Sequence, residues 1–516
     1  MYELDSSLKK IARGASVTLI GMTLGFLFSF VVRLIIARYG SPADYGIFSL
    51  ALAVLNIIAM LSAMGLQQGA TRYIAYFRGK DDSAKVKSTI SASIKLSAVA
   101  SIVLSLVVFL TADLLASKLF HTPEMVIPLK IFAVCIPFFT LIQVLAAVFR
   151  GFDRVEPMVL SQYLIPNFLF IGFLLLIIAV GLPITNVYYA YLAALIIAFS
   201  ALVFYTARSL PRHIGISVAA DTKPITRELL LFSLPLMIVV TLNTVTTWAD
   251  TLVLGHFKTP EVVGLYNAAK PMTQLLSAPL FALGVIYVPV ATGFFSRSQI
   301  AQLRTTYAIS TRWVMFITLP VFLVLFLFPE AVLNLLFGAV YVPAAAALRI
   351  LSLGFIISNL LGPNGTTLLA AGHTRFLMWA TLVSTILNIA LNILLVPPLG
   401  IAGAAIALIA SLTFINIINS ARLYQLYRAQ PFSKNLLKPA IICMILAFAI
   451  QALAHHFLNI TWWLLVLLFI VYICIYGLAA LFTRSFDKED IALLLEIEKR
   501  SGINAASLKR VLKRFV

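Results

Sequence analysis

Four ionisable side chains stand in stretches of sequence that otherwise offer nothing to water. Arg33 interrupts GMTLGFLFSFVVRLIIA (21–37), and Lys270 precedes Pro271 in GLYNAAKPM (264–272). Arg349 lies in LRILSLGFII (348–357), and Asp250 in TTWADTLVLG (246–255). A charge in such surroundings costs about 2.5–3.5 kcal/mol on insertion scales, and it is normally turned toward a cavity or a partner. A guanidinium grips a phosphate or carboxylate through two parallel hydrogen bonds, whereas an ammonium neutralises it as a point charge. Asp250 then serves as counter-ion to Arg33 or Lys270, or else as a ligand for a coupling monovalent cation. Plainer roles compete: Arg349, near the end of its run, reaches the interface along its own stem, and Lys270 pairs with Asp250. Arg33 has apolar residues for nearly two turns on its N-terminal side and resists such an account.

Neutral polar groups add to this set. Asn243, Asn267 and Asn388 have amides that suit hydroxyl-rich ligands, although asparagines in helix bundles also bond helix to helix. Asn359 and Asn392 are similar. Trp248 and Tyr266 offer faces for a sugar ring, or an interfacial belt. The six histidines are scattered, and Cys135, Cys443 and Cys474 all lie in apolar runs without ligand spacing, so no metal or cofactor is expected.

Membrane helices must position these groups. The 516 residues are 61% hydrophobic and 11% charged, against about 45–50% and 25% for soluble domains, so lipid is the solvent for most of the surface. Apolar runs long enough to cross a bilayer fall near 15–37, 46–66, 88–112, 126–149, 158–180, 185–206 and 228–253. They continue near 264–292, 311–333, 344–370, 376–397, 401–424, 437–456 and 461–483. The predicted fold is an all-α polytopic membrane protein with about 14 transmembrane helices. The net charge of +19 invites comparison with nucleic-acid binding. The basic residues, however, fall between apolar runs, and alternate ones: Arg72, Arg78, Lys80, Lys85 and Lys87 after the second, Arg208, Arg212, Lys223 and Arg227 after the sixth. That is topology information, with both termini cytoplasmic in the plasma membrane and no nucleic-acid partner.

The chain also repeats itself. YGSPADYGIFSLA (39–51) aligns without gaps on FKTPEVVGLYNAA (257–269), setting Pro42 on Pro260 and Gly46 on Gly264, 218 residues apart. RGFDR (150–154) aligns on AGHTR (371–375). A unit of six helices, an even number, keeps both copies in one orientation, a parallel repeat about an axis along the membrane normal. The expected organisation is an N-lobe over 1–206, a cytoplasmic linker over 207–227, a C-lobe over 228–424, two extra helices over 437–483 and a cytoplasmic tail over 484–516. In that tail Leu508, Val511, Leu512 and Phe515 oppose Lys509, Arg510, Lys513 and Arg514, as in a helix lying on an anionic leaflet.

KIARGASVTLIGMTLGFLFSFVVRLIIARYGSPADYGIFSLA (10–51), GLQQGATRYIA (65–75), LLLFSLPLMI (229–238) and WADTLVLGHFKTPEVVGLYNAA (248–269) carry a resemblance, as does LLAAGHTRFLMWATLVSTILNIALNILLVPPLGIAGAAIA (368–407). Together they resemble the polysaccharide transporter family of Wzx-type oligosaccharidyl-lipid flippases, in the superfamily that also holds MATE exporters and the lipid II flippase. The resemblance implies two six-helix bundles around a central cavity, alternating access without ATP hydrolysis, and a monomer handling an anionic lipid-linked saccharide among membrane lipids. Arg33, Lys270 and Arg349 would then meet its phosphate. A membrane glycosyltransferase would need acidic metal motifs in a sizeable loop, which are missing, so an enzyme is not expected. The rival is a MATE-like cation-coupled exporter, which needs carboxylates in its cavity where this chain offers mostly basic groups. The stretch 439–483 holds no charge, as a groove for a polyprenyl tail requires. Truncation at residue 430, with folding confirmed, is expected to abolish transport; wild-type transport by that product would contradict the groove.

Overall fold

The structure, a computed structural model, describes residues 2–209, 223–432, 441, 444–445 and 470–478. The middle of the linker, nearly all of the two extra helices and the tail lie outside the described residues. Among the described residues all regular structure is helical, with no strand. Hydrocarbon gives backbone amides no water to bond, so each spanning segment must satisfy its own.

The elements are α1 (Tyr2–Tyr39), α2 (Pro42–Ser62), α3 (Leu66–Arg78), α4 (Ser83–Leu114), α5 (Val126–Gly151), α6 (Glu156–Val159), α7 (Ile165–Val180) and α8 (Val187–Ser209). There follow α9 (Lys223–Phe257), α10 (Pro260–Ser296), α11 (Ile300–Leu327), α12 (Pro329–Leu336), α13 (Ala345–Leu360), α14 (Asn364–Ala370) and α15 (Thr374–Tyr427). Among the described residues ten segments are long and apolar enough to cross a membrane, or eleven if the bent α10 is taken as one span. The last, α15, has 54 residues, about 80 Å at 1.5 Å per residue, while a hydrocarbon core is about 30 Å thick. Gly400, with φ 55° and ψ −128°, breaks it where the sequence divides two expected spans.

The chain forms two compact units, Ser16–Asn267 and Ala268–Val516 with Met1–Ala15. This boundary and the duplication boundary expected at 207–227 are different divisions of the chain. In the first unit α5 packs against α2, α3, α4 and α8. Phe48, Phe132, Phe170, Tyr188 and Tyr191 join there in one aromatic cluster, with Phe132–Tyr191 centroids 5.1 Å apart and Phe48–Phe132 at 5.7 Å. In the second unit α13 packs against α11 and α15. The chain unwinds between α13 and α14 at Gly362, with φ +67° against Thr311. Asn364 then reaches Asn416 Oδ1 and Ser420 Oγ of α15, each at 3.0 Å, so protein rather than lipid satisfies the break.

The duplicated segments meet in the first unit. Ser41 and Asp44 form a capping box, with Asp44 N–H donating to Ser41 Oγ at 3.1 Å and Ser41 N–H to Asp44 Oδ2 at 2.9 Å, and Pro42 opens α2. Pro260 opens α10 likewise. Gly46 and Gly264 bring the two helices together reciprocally: a Cβ on Gly46 would collide with the Pro260 carbonyl oxygen, and one on Gly264 with that of Pro42. Backbone cannot yield as a side chain does. Gly264→Val is therefore expected to cost about 1–3 kcal/mol of stability, read as thermal unfolding in detergent, whereas Gly172→Ala, with open space at its Cβ, leaves the transition unchanged or raised. Equal transitions for the two variants would contradict the crossing.

Candidate functional site

Around Arg33 the side chains of α1, α2, α9 and α10 form one connected path. Arg33, half-buried on α1, stands close enough to the hydroxyl of Tyr45 on α2, which is 1% exposed, to act on it electrostatically. A guanidinium only donates, so what it can meet there is the phenol oxygen. The phenol O–H in turn donates to the Asn267 carbonyl of α10 at 2.9 Å. The Asn267 side chain binds its own helix at the Val263 carbonyl (3.0 Å) and accepts from Thr251 Oγ1 of α9 (3.3 Å). Thr251 adjoins Asp250, a fully buried carboxylate that accepts from the Tyr266 hydroxyl of α10 and from the Thr251 backbone N–H at 2.8 Å.

The two charges are not repeat equivalents: the 218-residue offset sets Arg33 on position 251, one residue from Asp250, and Tyr266 on Phe48. Each nevertheless stands beside a tyrosine hydroxyl of the following helix, Arg33 near Tyr45 and Asp250 accepting from Tyr266. The charges are opposite, and burial of the carboxylate is offset by two donated hydrogen bonds.

The other expected residues are distributed as follows. Arg33, Asn243, Asp250 and Asn267 belong to the first unit; Lys270, Arg349 and Asn388 belong to the second. Asn243 is exposed and donates to the Val239 carbonyl of its own helix at 3.0 Å. Lys270 is 8% exposed. Arg349 holds both oxygens of Glu330, at 2.9 and 3.0 Å, and the Phe326 carbonyl at 3.2 Å, tying together the ends of α11, α12 and α13. The pair is half-exposed. Asn388 is fully buried; its amide donates to Ser411 Oγ at 3.1 Å, joining the two arms of α15, and its backbone carbonyl accepts from Asn392 one turn on in the same arm. Among the described residues no group of three or more His, Cys, Asp or Glu is placed to hold a metal ion.

Two members of the path escaped sequence reasoning, Tyr45 and Thr251. The repeat sets Tyr45 on Val263, so duplication gives no hint of it. A signal existed nonetheless. The Asn267 carbonyl would ordinarily accept from the N–H four residues on, and residue 271 is proline, which has none. A buried carbonyl left over in this way requires a donor from elsewhere.

Comparison with known proteins decides the family. The model of the family described as "Polysaccharide biosynthesis protein" matches residues 11–295, more than half of the chain. The chain belongs to that family. A second family model, MatE, matches residues 235–394, and both fall in the superfamily of MATE exporters and saccharide flippases. An uncharacterised membrane protein of Methanocaldococcus jannaschii is 23% identical over 77% of this chain and 81% of its own length. A Haloferax volcanii protein named a probable low-salt glycan biosynthesis flippase, Agl15, is 25% identical over 34% of this chain and 37% of its own. The lipid II flippase MurJ in an inward closed conformation superposes with a TM-score of 0.71 at 16% identity, covering 89% of this chain and 97% of MurJ. At that identity the likeness shows a shared fold.

As a member of this polysaccharide biosynthesis family the chain has a testable division of labour among its asparagines. Asn388→Ala is expected to lower thermal stability by about 0.6–1.7 kcal/mol, the range of interhelical hydrogen bonds in lipid, with transport retained. Lost transport at unchanged stability would return Asn388 to the ligand-binding set.

Proposed function

We propose that the chain translocates a lipid-linked saccharide, carried on a polyprenyl phosphate or diphosphate, from the inner to the outer leaflet by alternating access. Arg33 binds the phosphate. The observation that carries this reading is its neighbour: the group beside the guanidinium is a phenol, Tyr45, and not a carboxylate, so its charge remains available to an anion. The phosphate is the one strongly charged part of such a substrate, and the bidentate geometry of Arg fits it. Membership of the polysaccharide biosynthesis family and the MurJ-like fold support the substrate class. No bond is made or broken in such a cycle.

Two six-helix lobes, over 1–206 and 228–424, belong to this reading, and the reciprocal Gly46–Gly264 crossing supports their two-fold relation. With both termini cytoplasmic, as the basic loops require, that crossing lies toward the outer face. Lys270 contributes a second positive charge for the head group, and Asn243 and Asn267 contribute polar contacts to the sugar. Arg349 and Asn388, given their local bonds, act at one remove by holding helices in place.

A second reading has one observation in its favour: the MatE match over 235–394 includes Asp250, and a buried carboxylate suits a cation-coupled exporter of small molecules. The two readings differ in the sign of what is bound. Arg33→Ala is expected to abolish complementation of a flippase-deficient strain with membrane insertion unchanged. Arg33→Lys retains part of it, because the charge survives while the fork is lost. A charge-assisted hydrogen bond contributes about 1.5–3 kcal/mol, so phosphate affinity should fall on the order of ten- to a hundred-fold in the Ala variant. Full complementation by Arg33→Ala would contradict the proposal.

A further inference from the structure

Tyr45 occupies a position with consequences for how a bound phosphate is communicated. We propose that its hydroxyl is a two-position switch: it donates to the Asn267 carbonyl while the site is empty, and to a phosphate oxygen once Arg33 holds one, which releases the α2–α10 crossing. The inference rests on the phosphate reading of Arg33 given above.

The phenol has a single proton to give. In the structure that proton is committed to Asn267 across the crossing, at 2.9 Å, and the Arg33 guanidinium acts on the same phenol electrostatically. An anion gripped by Arg33 therefore arrives beside the Tyr45 hydroxyl, since the guanidinium stands next to it. A phosphate oxygen is charged, and hydrogen bonds to ionised acceptors are roughly twice as strong as neutral ones. The phenol proton then has a better acceptor than a carbonyl.

What happens to the carbonyl makes the device a switch. Pro271 has deprived Asn267 of its intrahelical donor, so Tyr45 supplies what the helix cannot. Once the phenol turns away, a buried carbonyl is left bare, which is unfavourable until water reaches it. Separation of α2 and α10, which meet at Gly46 and Gly264 with backbone against backbone, would admit water to it. Loading and opening thereby become one event: the ligand binds the open arrangement better, the condition under which a ligand shifts an equilibrium. Tyr45 is 1% exposed, so the empty, closed arrangement protects its bond from competition by water.

The experiment uses the full chain in lipid nanodiscs, with Cys135, Cys443 and Cys474 replaced by serine and spin labels at Ala43→Cys and Glu261→Cys, on the opening turns of α2 and α10. Farnesyl diphosphate, a polyprenyl diphosphate without sugar, is the probe, and its binding is measured alongside the label distance. The wild type should be closed alone and open with the probe. Tyr45→Phe loses both positions of the switch: its open fraction should rise on the order of fivefold without probe, the effect of one net hydrogen bond, and respond little to probe. A merely structural tyrosine would lower stability and leave the response to probe intact, and that result would overturn the switch. Arg33→Gln reads the same link from the other end, and keeps the question open to test if Tyr45→Phe does not fold. It should stay closed in the presence of probe, and opening there would overturn the proposal. Equal binding of the probe by wild type and Arg33→Gln would sink the phosphate reading itself. Binding that needs Arg33, with Tyr45→Phe opening like the wild type, would sink the switch alone.

Discussion

A guanidinium at membrane depth must be given hydrogen-bond acceptors by protein, because hydrocarbon has none to offer. Much of the first unit can be understood as meeting that requirement for Arg33. The group set beside it is a phenol, the phenol must be held, and it is held by a carbonyl that a proline has left over. For the phenol of α2 to reach a carbonyl of α10 the two helices must touch, which side chains larger than hydrogen at Gly46 and Gly264 would forbid. A charge, a tyrosine, a proline and two glycines are thus linked by one physical demand.

The same demand is met differently for the second charge of the unit. There the charge is Asp250, fully buried, and its donors are Tyr266 and the backbone of Thr251. The two charges, one position apart in the 218-residue register, are opposite in sign, and Tyr45, Asn267 and Thr251 lie between them. The second unit solves a related problem at Gly362, where the Leu361 carbonyl at the break between α13 and α14 accepts from the Tyr307 hydroxyl and the Asn364 side chain is anchored to Asn416 and Ser420 of α15.

Sequence alone reached a good part of this arrangement, for identifiable reasons. Apolar runs announce spanning helices because lipid tolerates little else, and the break at Gly400 falls between two runs read as separate spans. Arg33 and Asp250 stood out because a charge in an apolar run is costly wherever it points. The 218-residue offset aligns Gly46 on Gly264, and the structure sets the two against each other, a contact that the alignment does not imply. What sequence does not carry is which neutral group answers a charge. Tyr45 is one of 18 tyrosines, and nothing in its neighbourhood marks it apart from a proline on another helix. Arg349 shows the converse: its pairing with Glu330 depends on how α12 turns after α11, which composition cannot report.

The central claim, that a lipid-linked saccharide crosses the membrane through this chain and that Arg33 holds its phosphate, is tested most directly in cells. The measurement is the amount of lipid-linked saccharide in each leaflet of a strain lacking the protein. Accumulation in the inner leaflet, relieved by the wild-type chain and not by Arg33→Ala at equal expression, is the predicted result. An unchanged distribution between leaflets in the deletion strain would contradict it.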